Sequence, residues 1–332
     1  MITLGIESSC DDTSIALVKD GTQILSSLVS SQIEIHKRFG GVVPEVASRK
    51  HLEAILPLLN EALEAAKIKL EDIDQIAATS GPGLLGPLLV GLTTAKALAW
   101  YLNKPLVPVN HIEAHLTAAF LTAGQLPEYP FIGLIVSGGH SNLVYATGPR
   151  NFETLAQTLD DAPGELYDKT ARHLGLGYPG GPVIQKAGEG GDPHKYQLPV
   201  PMKGKGYVFS FSGLKTAVMR IVEKEGDKLD MAGLCASLQY SVAEAFAEKV
   251  GMAFKDRKSN ILAIAGGVSA NKVLRERMSE FANKHGIRIL LPTLHLCTDN
   301  AAMVAAHGYL TADLHKENTL EVNALANWAM GE

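Results

Sequence analysis

The sequence is short of cysteine: Cys10, Cys235 and Cys297 are its three thiols in 332 residues. So far apart, they form neither a disulfide framework nor a Cys-x-x-Cys zinc knuckle, and they suit a reducing compartment, the cytoplasm. An unbroken apolar run of about eighteen residues is missing, so no membrane-spanning helix is expected. The opening MITLGIESSC has no basic stretch leading into an apolar one, which argues against a signal peptide. Positive charge is not in excess either: 30 Lys and Arg face 35 Asp and Glu, a net charge of −5. A surface that attracts polyanions everywhere is thereby excluded, and nucleic acid would be met through a local patch or a partner. No short period recurs, which excludes collagen and coiled coil. The P-loop pattern G-x-x-x-x-G-K-[ST] and the zincin pattern H-E-x-x-H are both missing.

What is present is a core and a great deal of glycine. Hydrophobic residues make up 46% and charged residues 20%, which rules out general disorder. At roughly 150 residues per domain, the length suggests two domains or lobes. Ten of the 32 glycines fall in five adjacent pairs, Gly40-Gly41, Gly138-Gly139, Gly180-Gly181, Gly190-Gly191 and Gly266-Gly267. Such repeated pairing favours loops that bring backbone close to a ligand over ordinary turns.

Strands and helices alternate. Residues 4–7 and 13–18 read as strands, 51–66 as an amphipathic helix, 75–79 as a strand, 86–102 as an apolar helix, 106–109 as a strand and 111–123 as a helix. A second strand pair follows at 132–136 and 141–146. Leu234, Leu238, Val242, Phe246, Val250 and Phe254 recur four apart and mark one long helix. Strand, helix, strand and helix then follow at 261–264, 271–284, 287–290 and 300–310, so the chain is of the α/β class. Segments 4–18 and 132–146 share one plan: an apolar strand, a turn of small polar residues, a second apolar strand. Each tip can offer N–H groups to an anion, and two such hairpins suggest two similar lobes with a ligand between them.

Several local patterns compete for the chemistry. Residues 81–86 match G-x-G-x-x-G, but the next strand ends in Asn110 with no acidic residue for a ribose, so a tight strand–helix turn is the stronger reading. His111 and His115 stand at i and i+4 on one helix face and can share a metal, although paired surface histidines look the same. Asp299 is an oxygen donor at a strand–helix junction, either a third ligand or the helix N-cap. Asn271, after the small residues 265–270, can bond a ligand or cap a helix. Glu7, Asp11 and Asp12 at the first hairpin can hold a cation or simply shape a turn. Lysines mixed with Tyr207, Phe209 and Phe211 fit single-stranded nucleic acid, with a half-buried strand the stronger expectation.

Taken together, residues 5–11, 40–45, 80–84, 111–115, 136–140, 178–182, 209–216 and 266–271 resemble the tRNA N6-adenosine threonylcarbamoyltransferase (TsaD) family, over nearly the full length. The resemblance implies a two-lobed actin/Hsp70/sugar-kinase-like (ASKHA) fold with a ligand cleft between lobes, here expected as 1–108 with a return near 303–332, and 109–302. It implies transfer of threonylcarbamoyl from threonylcarbamoyl-AMP to N6 of the adenosine 3′ of the anticodon in tRNA. It implies that His111, His115 and Asp299 bind one Fe2+ or Zn2+, and that Ile135, Val136, Ser137, Gly138, Gly139, Asp168, Gly181 and Asn271 hold the acyl-adenylate. Asp11 and Asp12 are the expected catalytic pair, serving a second phosphate or Mg2+ with nucleotide. The implied partners are tRNA, a paralogous TsaB-type subunit and a TsaE-type ATPase, with no membrane. The chain departs from the family pattern at Asp12, usually glutamate, at Ser141, usually threonine, and at Pro163, usually alanine. A nucleotide-dependent kinase or ATPase binding module of the same fold is the alternative, disfavoured by the histidine pair. A metalloprotease is disfavoured because the glutamate beside the first histidine is missing.

Overall fold

The computed structural model describes residues 1–314 and 319–332. In chain order its main elements are β1 (Ile2–Glu7), β2 (Asp12–Lys19), β3 (Gln23–Ser31), α1 (Ile33–His36), α2 (Pro44–Ala66), β4 (Gln75–Gly81), α3 (Leu85–Leu102), β5 (Leu106–Asn110) and α4 (His111–Thr122). They continue as β6 (Phe131–Val136), β7 (Ser141–Gly148), β8 (Asn151–Gln157), α5 (Pro163–His173), α6 (Gly180–Ala187), α7 (Ser212–Glu225) and α8 (Met231–Asp256). The last are β9 (Ile261–Ala265), α9 (Lys272–His285), β10 (Arg288–Leu290) and α10 (Ala301–Thr311). Two compact units result: unit 1 holds residues 1–128, 148–151 and 292–332, and unit 2 holds 129–147 and 152–291. The boundary expected at 108/109 falls inside unit 1. The reason is packing: Ala114, Ala118 and Leu121 of α4 share a buried cluster with Ala302, Val304 and Ala305 of α10. Of the expected return at 303–332, residues 315–318 lie outside the described residues.

The two hairpins do head two like sheets. Unit 1 orders its strands β3-β2-β1-β4-β5, and unit 2, read from its other end, β8-β7-β6-β9-β10. In each, the first strand pairs antiparallel with its hairpin partner and parallel with a later strand, β1 with β4 and β6 with β9. The central strands are buried along their length, and β6 and β9 read as continuous apolar runs, as strands covered on both faces do.

Helix α2 begins at Pro44, seven residues before the expected start; proline suits a first helical position because its missing N–H would be orphaned there. Strands β3 and β8 and helices α1 and α5 to α7 are additional to the elements read from the sequence. Phe209 and Phe211 do not form the expected strand. Both are buried against Phe246, so neither ring is free to stack on a base. Helix α3 is long and apolar enough to cross a membrane by length and mean hydropathy, 1.2, despite Lys96 and two threonines. Its Leu92, Ala95 and Ala99 pack in the unit 1 core, as those of a flanking helix do.

The G-x-G-x-x-G match is explained by packing. A Cβ on Gly81 would lie 2.3 Å from the Leu325 carbonyl oxygen, one on Gly83 2.6 Å from that of Ser9, and one on Gly86 2.3 Å from Ser48 Oγ. The glycines admit neighbouring chain rather than a dinucleotide.

Candidate metal centre and candidate adenylate pocket

In unit 1, β5 runs directly into α4, and Asn110 caps the junction: its Oδ1 accepts from the N–H groups of Ile112 (2.9 Å) and Glu113 (3.3 Å). The next residue is His111, and the helical repeat stacks His115 beside it with ring centroids 4.6 Å apart. Asp299 arrives just before α10. The choice left open for it is resolved by its neighbour, since Asn300 caps that helix by accepting from Met303 N–H at 2.9 Å. The Asp299 carboxylate instead turns to the histidines, with Oδ1 3.3 Å from His115 Nε2 and 3.6 Å from His111 Nε2. One ligand atom from each of the three residues falls within 4.8 Å of the others. His115 is 1% exposed, and neither of its ring nitrogens has a hydrogen-bond partner. Buried polar atoms are rarely left so; two imidazoles and a carboxylate converging on one point fit a divalent metal ion.

Electrostatics support that fit. Burial alone would lower the pKa of His111, but the charges of Glu7 and Asp299 outweigh it and raise it to about 9. Opposite, burial would raise Glu7, yet the His111 charge and hydrogen bond hold it below the usual carboxylate range. The acidic charges around His111 thus favour positive charge at this place. Asp11 and Asp12 lie at the β1–β2 turn of the same unit. Burial pushes Asp11 up. Burial likewise pushes Asp12 up to about 7 against a bond from Ser31, with the charges of Asp299, Asp11 and Glu7 adding to the rise. Asp12 Oδ1 is also buried without a hydrogen-bond partner.

Unit 2 holds a pocket lined by Gly138, Gly164, Tyr167, Asp168, Gly181, Pro182, Gln185, Gly267, Val268, Ala270 and Asn271. It gathers Gly138, Asp168, Gly181 and Asn271 of the expected adenylate residues. Ile135, Val136, Ser137 and Gly139 are not on its wall, and Ile135 and Val136 are buried in β6. Ser137 turns its N–H to the His140 carbonyl at 2.9 Å, which shapes the Gly138-Gly139 turn. Asp168 Oδ1 accepts the Gly180 N–H at 2.6 Å, tying α5 to the start of α6. Asn271 does cap α9, accepting from Leu274 N–H at 3.0 Å, and it donates to Gln239 Oε1 at 2.8 Å. Its backbone and edge remain on the pocket wall.

Three contributors carry little or no sequence signal. Gln185, four residues after Gly181 on α6, accepts the Lys272 N–H at 2.8 Å; helical spacing could have revealed it. Gln239 had no sequence signal, because its partner lies on another helix. Asp160 gathers Ser210 Oγ, Phe211 N–H and both groups of Ser212, so the aromatic-serine run anchors α7.

The comparisons with known proteins agree with this geometry. A family model described as TsaD, tRNA N6-adenosine threonylcarbamoyltransferase, matches residues 23–306. A protein of that name from Symbiobacterium thermophilum is 48% identical over 332 residues, covering 99% of this chain and 97% of its own. One from Clostridioides difficile is 47% identical, with 98% of each chain covered. Among solved structures, HypF from T. kodakarensis aligns at TM-score 0.63 and 15% identity, over 94% of this chain and 48% of that one. The (R)-2-hydroxyglutaryl-CoA dehydratase component A of Acidaminococcus fermentans aligns at 0.55 and 18%, over 94% and 99%. These two likenesses speak for the ASKHA fold alone. With the histidine pair, the glycine turns and near-complete coverage by its relatives, the chain belongs to the tRNA N6-adenosine threonylcarbamoyltransferase family.

Proposed function

We propose that this transferase modifies tRNA with the residues described above in the following roles. The reaction is t6A formation: N6 of the adenosine 3′ of the anticodon bonds to the carbonyl carbon of threonylcarbamoyl-AMP. The bond from that carbon to the phosphate oxygen breaks, AMP departs with the electron pair, and the amine gives up a proton. His111, His115 and Asp299 would hold one Fe2+ or Zn2+, which when bound supplies Lewis acidity toward a carbonyl oxygen. In unit 2, the Gly138-Gly139 turn offers N–H groups to the phosphate. Asp168, Gly181 and Asn271 line the space for the nucleoside, and Ile135, Val136 and Ser137 fix the turn's position. Asp12, with a pKa raised to about 7, has the value a proton acceptor needs near neutrality, and Asp11 beside it would be the second member of the acidic pair, serving Mg2+ with nucleotide.

The observation that carries this reading is the buried His115 ring without a hydrogen-bond partner, facing Asp299. The test supplies labelled threonine, bicarbonate, ATP and unmodified tRNA to an extract depleted of this protein. Wild type restores transfer and His115→Ala does not. Equal rescue by both would remove the triad from the mechanism, and no rescue by either, where a relative rescues, would remove the assignment. Asp11→Ala with normal nucleotide binding and full activity would free that residue of its role.

We assign the TsaB-type partner to the outer faces of α2 and α3. Leu52 and Leu56 on one helix, and Leu85, Leu89 and Trp100 on the other, are exposed there. Such a patch suits a protein partner, and shared docking suits a chain of net charge −5 that must meet tRNA. Leu56→Asp or Leu89→Asp should abolish co-purification with that partner, and the TsaE-type ATPase would act on the assembled pair.

A further inference from the structure

Glu7 closes β1 and is fully buried. Three donors from three segments converge on it. Ser9 N–H donates to Oε1 at 2.6 Å, the Thr79 hydroxyl of β4 donates to Oε2 at 2.6 Å, and His111 Nδ1 lies 3.0 Å from Oε2. Two of these bonds come from a strand and a tight turn, so the carboxylate is fixed independently of α4.

We infer that Glu7 is a positioning residue for the metal centre: it holds the Nδ1–H tautomer of His111 and so aims the Nε2 lone pair toward the place where His115 and Asp299 converge. This rests on the metal reading of the triad given above. A carboxylate accepts and does not donate, so the proton between it and His111 sits on Nδ1, and Nε2, facing Asp299, is left as the ligand atom. Ser9 Oγ, 3.2 Å from the same Nδ1, would favour the opposite tautomer by donating, but the carboxylate is nearer and is itself braced. His115 has no such support, since neither ring nitrogen has a hydrogen-bond partner. One ligand is thus preset by the protein and the other is left to the ion. Outer partners of this kind typically change metal affinity about 10–100-fold.

The test titrates the full chain with Zn2+ against a chelator, and with Co2+ followed by its visible absorption. Glu7→Ala should weaken Zn2+ binding by about 10–100-fold and alter the Co2+ spectrum, while Glu7→Gln, which keeps an oxygen acceptor, should recover most of both. Ser9→Ala should leave both unchanged. Should Glu7→Ala fail to fold, Thr79→Val, which loosens the carboxylate without removing it, decides the matter: weaker binding supports the inference and unchanged binding overturns it. A folded Glu7→Ala with wild-type affinity and spectrum also overturns it, provided His115→Ala loses the metal. If wild type binds no better than His115→Ala, the metal reading itself fails.

Discussion

The two candidate sites are made of opposite materials. In unit 1 the chemistry lies in ionisable side chains, with buried Glu7, His111 and His115 and half-buried Asp299 drawn together. In unit 2 four of the eleven lining residues, Gly138, Gly164, Gly181 and Gly267, are glycines that leave main chain open to a ligand, beside side chains such as Tyr167, Asp168 and Asn271. A site of buried charge demands compensation, from a proton or a cation, and so responds to pH and to metal. A glycine-rich wall lets a ligand approach the backbone closely, and so responds to an added methyl group.

That contrast can be tested by substitutions at neighbouring positions. The largest effect is expected at Asp299: Asp299→Ala should weaken metal binding by more than about 100-fold, beyond what losing a supporting partner costs. Asn300→Ala, one residue on, should instead lower stability by about 1–2 kcal/mol through the lost cap, read by denaturant unfolding. In unit 2, Gly266 has φ +88° and would place a Cβ 2.4 Å from the Val136 carbonyl oxygen. Gly266→Ala should therefore cost about 3 kcal/mol from strain and overpacking together.

Third comes a pH dependence. Asp12 keeps its proton in the folded protein to about pH 7, whereas the unfolded chain releases it near pH 4. Between those values the folded state binds more protons, so the metal-free protein loses stability as pH rises, by about 2–4 kcal/mol from this group. Asp12→Asn should flatten that decline, and unfolding curves at pH 5 and pH 8 measure it. The smallest effect on stability is expected at Gly138 and Gly181, where an added Cβ meets nothing within 4 Å. Gly138→Ala should leave the melting temperature unchanged and reduce binding of an adenylate by about tenfold, or about 1.4 kcal/mol. A stability loss there as large as at Gly266 would blur the division between wall and frame.

Much of this architecture is legible in the order of residues. The apolar strands around 4–18 and 132–146 carry the doubled hairpin plan, because burial on both faces leaves a continuous hydrophobic run. The i, i+4 spacing of His111 and His115 puts both on one helix face, because the α-helix repeats every 3.6 residues or so. Helices α5 to α7 are not read from the sequence although α5 buries Leu166, Tyr167, Thr170 and Ala171 at helical spacing; glycine and proline in the first turns of α5 and α6 resemble a loop. Phe209 and Phe211 look like a strand or a base-stacking platform, and only Phe246 from a distant helix shows them to be core.

Local periodicity therefore settles the α/β class, the two hairpin cores and the pair of histidines, all from the sequence. It took the folded chain to establish that Asn300 caps α10 and leaves Asp299 to the histidines, that α4 belongs with α10 in unit 1, and that Glu7 lies against His111. The Asn300 cap is local, but the other outcomes depend on side chains that meet from about 100 to 190 residues apart, and such meetings are set by packing of whole elements, which leaves no mark in the spacing of neighbouring residues.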